Sequence, residues 1–98
     1  MDKYYLPLRI KQVVAQARDE NKKLVLVTGV FDMLHQEHVK FLQKAKQEGD
    51  LLLVALETDE RVRAIKGSKR PVNDERARLE NLKKIGLADG VFLLPESF

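Results

Sequence analysis

The stretch KLVLVTGVFDMLHQEHVKFL, residues 23–42, changes its hydrophobic period once, near Gly29. Residues 23–31 are rich in β-branched side chains, which predicts a buried parallel strand that ends in a tight turn at the glycine. From His35 onward the apolar residues return at helical spacing, up to the "GD" pair at 49–50 that closes the helix. A strand that leads through a turn into a helix is the first part of a β-α-β unit.

The rest of the chain continues this alternation. The pattern predicts an amphipathic helix over 8–21, a second buried strand over 51–57, a short helical turn over 59–65, a long helix capped by Asn73 or Asp74 and running to about 85, and a third strand over 90–94. A helix followed by β-α-β-α-β predicts an α/β fold with a doubly wound, Rossmann-like parallel sheet. Ligands of such sheets bind beyond the carboxyl ends of the strands, which is where the turn after residue 29 lies.

Length and composition limit the protein classes. We expect the 98 residues to form a single domain, with 44% hydrophobic and 34% charged residues typical of a folded, soluble chain. The absence of cysteine excludes disulfides, thiolate nucleophiles and cysteine metal ligands. The longest apolar run, LLLVAL at 51–56, is too short to span a membrane, and the N-terminus lacks a signal-peptide pattern. These features predict a cytoplasmic protein with no membrane partner.

The net charge is +3, and positive charge is densest in RVRAIKGSKR at 61–70, which contains no acidic residue. Such a segment attracts phosphate groups, but it is also typical of a solvated loop. Aromatic residues make up 6% of the chain and none lies within this segment, so we do not expect a nucleic-acid partner.

Asp32, His35 and His38 follow the spacing D-x-x-H-x-x-H at the start of a predicted helix. The amide groups and dipole of a helix N-terminus attract phosphate, and two imidazoles one turn apart add hydrogen-bond donors. Spacing alone favours ordinary capping or surface histidines, and metal ligation also stays open, although HQEH is not the H-E-x-x-H spacing of zinc hydrolases. Phe31 fits core packing as well as a ligand site.

Two longer segments carry a family resemblance. GVFDMLHQEHVKFLQKAKQEGDLLLVAL resembles the nucleotidyltransferase (cytidylyltransferase-like) α/β superfamily, in which a strand precedes G-x-F-D-x-x-H-x-G-H and a helix. TDERVRAIKGSKRPVNDERARLENL is similar to the matching segment of the sugar-phosphate adenylyltransferases, especially the heptose-phosphate type. The resemblance covers nearly all of residues 8–95.

The resemblance implies transfer of a nucleotidyl group from a nucleoside triphosphate, ATP rather than CTP, to a sugar phosphate or similar small phosphate, with release of pyrophosphate. It implies Mg²⁺ with the nucleotide and no metal site made by the protein alone. It assigns catalysis to His35 and His38, and it assigns nucleotide binding to Gly29, Val30, Phe31, Asp32, Lys66, Arg70 and Arg78. For Arg78 a solvent-exposed helical arginine is an equal alternative.

The sequence departs from the family pattern in two ways. Glu37 stands where the motif has glycine, and its bulk and negative charge are expected to weaken nucleotide binding. The Ser/Thr-rich motif and two further strands of the family are missing, so we expect only the N-terminal half of the fold, incomplete at its C-terminus. A homo-oligomer or a partner chain is then expected along the edge of the first strand. The alternative function is a catalytically impaired or truncated member that retains the fold for assembly or binding.

Overall fold

A computed structural model describes residues 7–69 and 72–94, with the backbone alone at residues 7–9. The described elements are α1 (Pro7–Asp19), β1 (Leu24–Gly29), α2 (Gln36–Gln47), β2 (Leu51–Leu56), α3 (Asp59–Lys66), α4 (Glu75–Ile85) and β3 (Gly90–Leu93). The predicted order of helices and strands is confirmed. None of the described helices combines the length and the apolar character that crossing a bilayer requires.

The element ends differ from the predicted ones by at most two residues. The first strand ends at Gly29 instead of 31, because Phe31 has a positive φ of 50° and leaves the extended region. The short turn predicted over 59–65 is an eight-residue helix that Thr58 caps. The long helix is capped by Asp74, whose side chain accepts from the Ala77 N–H, and not by Asn73.

The described strands form one parallel sheet in the order β1-β2-β3. β2 lies in the centre, and residues 52–56 are buried on both faces, as the unbroken apolar run predicts. β1 has one strand neighbour within the described residues, so its other edge is open.

Helices cover both faces of this sheet, which confirms the predicted α/β, Rossmann-like class. On one face, α2 and α4 close the larger core, whose buried members are Phe31, Leu42, Ala45, Leu52, Val54, Leu56, Leu79, Leu82 and Val91. On the other face, α1 packs through Ile10, Val13 and Val14 on a smaller cluster of Leu53, Ala55 and Phe92. The carboxyl ends of β1 and β2 meet at one edge between these layers.

Candidate functional site

The turn after β1 is set by contact between Gly29 and Phe31. A Cβ atom on Gly29 would lie 2.8 Å from Phe31 Cε2, closer than carbon atoms can approach. The Gly29 carbonyl accepts from the Glu57 N–H at 3.0 Å, which holds the turn against the end of β2. Phe31 is 7% exposed in spite of its left-handed backbone. A bulky residue retains such a conformation only where its surroundings enforce it, a feature that is concentrated at functional sites.

His35 and His38 cap the start of α2 together. His35 is the N-cap residue, and its Nδ1 accepts from the Glu37 N–H at 3.2 Å. His38 completes a capping box, since its Nδ1 accepts from the His35 N–H at 3.3 Å. The two ring centroids lie 4.1 Å apart, and the His38 ring meets the Phe31 ring edge-on at 5.7 Å. Capping is therefore a real role of these histidines, as their spacing alone favoured.

Capping also defines which ring nitrogen carries the proton. A nitrogen that accepts a hydrogen bond is unprotonated, so the neutral form of each ring carries its proton on Nε2. Burial and, to a lesser degree, the charge of His35 lower the pKa of His38 from its usual 6.5. His38 is thus mainly neutral at pH 7, with an Nε2–H that is available as a donor.

A cavity of about 550 Å³ lies at the carboxyl end of β1. It brings together most of the residues that the sequence assigned to the site, and its lining consists of Gly29, Val30, Phe31, Asp32, Met33, His35, His38, Phe41 and Lys66. Lys66 arrives from the last turn of α3, a separate element. The arrangement joins a cation, two imidazoles and the N-terminus of α2, which suits an anion such as a phosphate.

Met33 and Phe41 were not predicted from the sequence. Both line the cavity although they are half-exposed. Phe41 follows His38 by three residues and therefore lies on the same helix face, a signal that could have identified it. The sequence has no comparable signal for Met33, since it lies in the irregular turn. These two side chains add an apolar rim to the cavity.

Asp32 anchors a neighbouring segment of the chain. Its carboxylate accepts from the Val72 N–H and from the Asn73 N–H, both at 2.7 Å. The Asn73 side chain donates in return to the Asp32 carbonyl, also at 2.7 Å. Asp32 thus borders the cavity while it fixes the chain that follows the basic segment. Arg70, which the resemblance also assigned to the nucleotide, lies outside the described residues.

Arg78 lies behind the cavity wall and is not part of the cavity lining. Its side chain is 0% exposed, so the alternative of a solvent-exposed arginine is wrong. The guanidinium donates to the carbonyls of Val30, Glu57 and Asn73, and its Nη2 lies 2.8 Å from Asp59 Oδ1. Arg78 therefore contacts the backbone of one cavity residue, Val30, but its own side chain does not line the cavity.

Glu37 points away from the cavity. Its side chain is 76% exposed, lies 3.6 Å from the Lys40 ammonium and is not among the cavity-lining residues. An acidic residue in the first turn of a helix also interacts favourably with the helix dipole. The bulk that Glu37 adds relative to glycine therefore does not enter the cavity, and its charge acts mainly through solvent.

The described residues contain no group of three or more His, Asp or Glu side chains placed to hold a metal ion. Asp32 is the carboxylate that lines the cavity, and each of its oxygens already accepts a backbone N–H. A divalent cation in this cavity would need oxygen ligands besides those of Asp32.

Known proteins match the part of the chain that contains the cavity-lining residues. A sequence profile described as cytidylyltransferase-like matches residues 26–97. Over 82 residues the chain is 43% identical to the bifunctional protein HldE of Actinobacillus pleuropneumoniae, a match that covers 84% of this chain and 17% of that protein. It is 42% identical over 87 residues to the bifunctional protein HldE of Citrifermentans bemidjiense, covering 89% of this chain and 18% of that protein.

A solved structure shares the arrangement of helices and strands. The crystal structure of the lipopolysaccharide core biosynthesis protein from Thermoplasma volcanium superimposes with a TM-score of 0.71 at 35% sequence identity. The match covers 76% of this chain and 60% of that one. The chain thus spans less than a fifth of the HldE proteins that it matches and somewhat over half of this structural relative.

Proposed function

The chain belongs to the cytidylyltransferase-like family, and from this we propose that it binds a nucleoside triphosphate and serves nucleotidyl transfer to a small phosphate. We propose ATP in preference to CTP, a sugar phosphate as acceptor and pyrophosphate as the released product. The likeness of residues 58–82 to sugar-phosphate adenylyltransferases supports both choices. Use of a nucleoside triphosphate also fits a cytoplasmic location.

The observation that carries this proposal is the convergence of His35, His38 and Lys66 on one cavity beside a helix N-terminus. Each imidazole accepts a backbone N–H at Nδ1 and so offers Nε2–H as a donor to phosphate oxygen. Lys66 adds a positive charge from the last turn of α3. Donors held in fixed positions stabilise charge that develops on a phosphoryl group without having to reorganise.

The proposed reaction needs no nucleophile from the protein. An oxygen of the acceptor phosphate attacks the α-phosphorus of the triphosphate, and the bond from this phosphorus to the oxygen that bridges to the β-phosphate breaks. Pyrophosphate leaves with the electron pair of that bond. The protein would position the two substrates in line and donate hydrogen bonds to the phosphate oxygens, and these effects can supply most of the rate.

Magnesium is proposed to arrive with the triphosphate as part of the substrate. Within the described residues the cavity supplies no set of carboxylates for a cation of its own, whereas triphosphate oxygens are ligands that Mg²⁺ prefers. When bound, the ion would reduce the negative charge of the triphosphate.

A calorimetric titration of ATP and of CTP, each with magnesium, tests the binding step. We expect ATP to bind and Lys66→Met to weaken it by about tenfold or more, because a phosphate-binding charge is lost. Lys69→Met is the matched control, since Lys69 lies in the same basic segment but does not line the cavity. Equal effects of the two variants, or no binding of either nucleotide, would contradict the proposal. Pyrophosphate release with candidate sugar phosphates then tests transfer itself.

We propose assembly through β1 as the second function, with another copy of the chain adding a strand to the open edge. Leu26 supports this: it lies in the middle of β1 and is 47% exposed. An open apolar strand edge is a template for pairing. Sedimentation over a range of protein concentrations should reveal a dimer that Leu26→Lys dissociates, whereas Ile65→Lys, at an exposed apolar position on α3, should not. A monomer at all concentrations would refute assembly.

A further inference from the structure

We propose that Arg78 is a positioning residue that holds the ends of β1 and β2 beside the cavity and does not itself touch the nucleotide. The inference deepens the proposed function, because the cavity that Arg78 supports is the proposed triphosphate site. Three features support it: the burial of the side chain, the elements that its guanidinium joins and the route of contacts from Arg78 to His38.

The guanidinium joins three segments of the chain, at Val30, at residues 57–59 and at Asn73. Nη1 donates to the Val30 carbonyl at 2.9 Å and to the Glu57 carbonyl at 2.8 Å, so one nitrogen links the ends of β1 and β2. Nε donates to the Asn73 carbonyl at 3.1 Å, and Nη2 pairs with Asp59 at the start of α3 at 2.8 Å. These bonds use four of the five N–H groups of the side chain.

Such a set of bonds requires arginine. Its planar fork can reach several acceptors in fixed directions at once, whereas a lysine ammonium is a point charge on a flexible stem. The Val30 and Glu57 carbonyls belong to the carboxyl ends of parallel strands, where oxygen atoms carry partial negative charge. The buried guanidinium offsets the partial negative charge of these carbonyl oxygens, so the edge of the sheet is better able to accept an anionic ligand.

A short chain of contacts leads from Arg78 to the imidazoles. The Val30 carbonyl precedes Phe31, whose left-handed backbone needs support from its surroundings. The Phe31 ring meets the His38 ring at 5.7 Å. Loss of the Arg78 bonds should therefore let the turn relax and move Phe31 against His38, without any ligand present.

A direct contact of Arg78 with the nucleotide fits the structure poorly. The side chain is 0% exposed, and a ligand could reach the guanidinium only after bonds to the protein were broken. A direct contact and a positioning role differ in one observable, which is whether the ligand-free site changes when Arg78 is replaced.

The ring-proton NMR signals of the two histidines provide that observable, because the chain contains no others. In the ligand-free Arg78→Lys protein, measured below its melting temperature, we expect the His38 signals to shift as Phe31 moves. Arg76→Lys, an exposed arginine on the same helix, should leave both histidines unchanged. We also expect ATP binding to weaken by about tenfold or more in Arg78→Lys, since misplaced groups of this kind are costly.

Unchanged histidine signals in folded Arg78→Lys would overturn the proposal, even if that variant melts at a lower temperature. If the wild-type chain binds no nucleotide, the proposed function fails, yet the ligand-free spectra still decide the role of Arg78. If Arg78→Lys does not fold, the Arg78 Nε–H signal of the wild-type protein decides instead. Slow exchange of this proton with solvent, unaffected by ATP, supports positioning, whereas rapid exchange or a large shift on ATP addition refutes it.

Discussion

Gly29 decides where the Phe31 ring lies. Because Gly29 has no side chain, the Phe31 ring can cover its backbone. A Cβ atom on residue 29 would lie only 2.8 Å from Phe31 Cε2. We expect Gly29→Ala to displace the ring and to lower the free energy of unfolding by about 1–3 kcal/mol, the usual cost of overpacking. Denaturant titration measures this, with Thr28→Ala as an exposed neighbour that should change little. Equal losses in the two variants would contradict this explanation.

Glu37 lies one residue before His38, but its side chain leaves the cavity open. Because the carboxylate is 76% exposed and lies beside Lys40, solvent screens its effect on a bound triphosphate. We expect Glu37→Gln, which preserves size and removes the charge, to strengthen ATP binding by less than about tenfold. Calorimetric titration of both proteins at two salt concentrations measures this. A much larger gain would mean that the side chain turns into the site when nucleotide approaches.

The start of α2 depends on two unprotonated imidazole nitrogens. The lowered pKa of His38 means that the unfolded chain takes up the proton more readily than the folded one. Stability is therefore highest above pH 6.5 and decreases as the pH falls from 6.5 towards the lower folded pKa. Denaturant titrations between about pH 7.5 and 5.5 should show this decrease.

His38→Gln is the control for the pH effect, since glutamine at this position preserves a capping box without titrating. We expect the variant to fold with a weaker dependence on pH over the same interval. The same slope in both proteins would place the pH dependence on other groups and would refute the role assigned to His38.

The helix α1 covers the neighbouring strands β1 and β2 to different extents. A pair of leucines, one on each strand, measures this difference in burial. Leu26 and Leu53 are register partners on neighbouring strands, and both face the α1 side of the sheet. Leu53 is 2% exposed, while Leu26 is 47% exposed because α1 packs on Leu53, Ala55 and Phe92 of β2 and β3. We expect Leu53→Ala to cost about 2–5 kcal/mol of unfolding free energy and Leu26→Ala less than about 1 kcal/mol.

Denaturant titration at low protein concentration measures both leucine variants on the same scale. A cost at Leu26 that grows with protein concentration would support assembly along β1, because a dependence on concentration requires a second chain. Similar costs for the two variants at low concentration would mean that α1 covers β1 more fully than the structure shows.

The elements could be predicted from the sequence because their signals are local. The unbroken apolar run of β2, the helical spacing after His35 and the acidic cap before α4 each act over a few neighbouring residues. The residues that gather at the carboxyl end of β1 could also be named, because the family resemblance assigns them and a parallel sheet brings its turns to one edge. Seven of the predicted site positions, from Gly29 to Lys66, line the cavity.

The sequence by itself thus determined the order of elements, the α/β class and the place of the cavity. Only the tertiary structure decided the direction of Glu37, the apolar rim at Met33 and the burial of Arg78. The left-handed backbone of Phe31 belongs with these, because Glu57 and Arg78 hold the turn from distant segments. The physical reason is that these features depend on contacts between residues far apart in the chain, which no local pattern of side chains encodes.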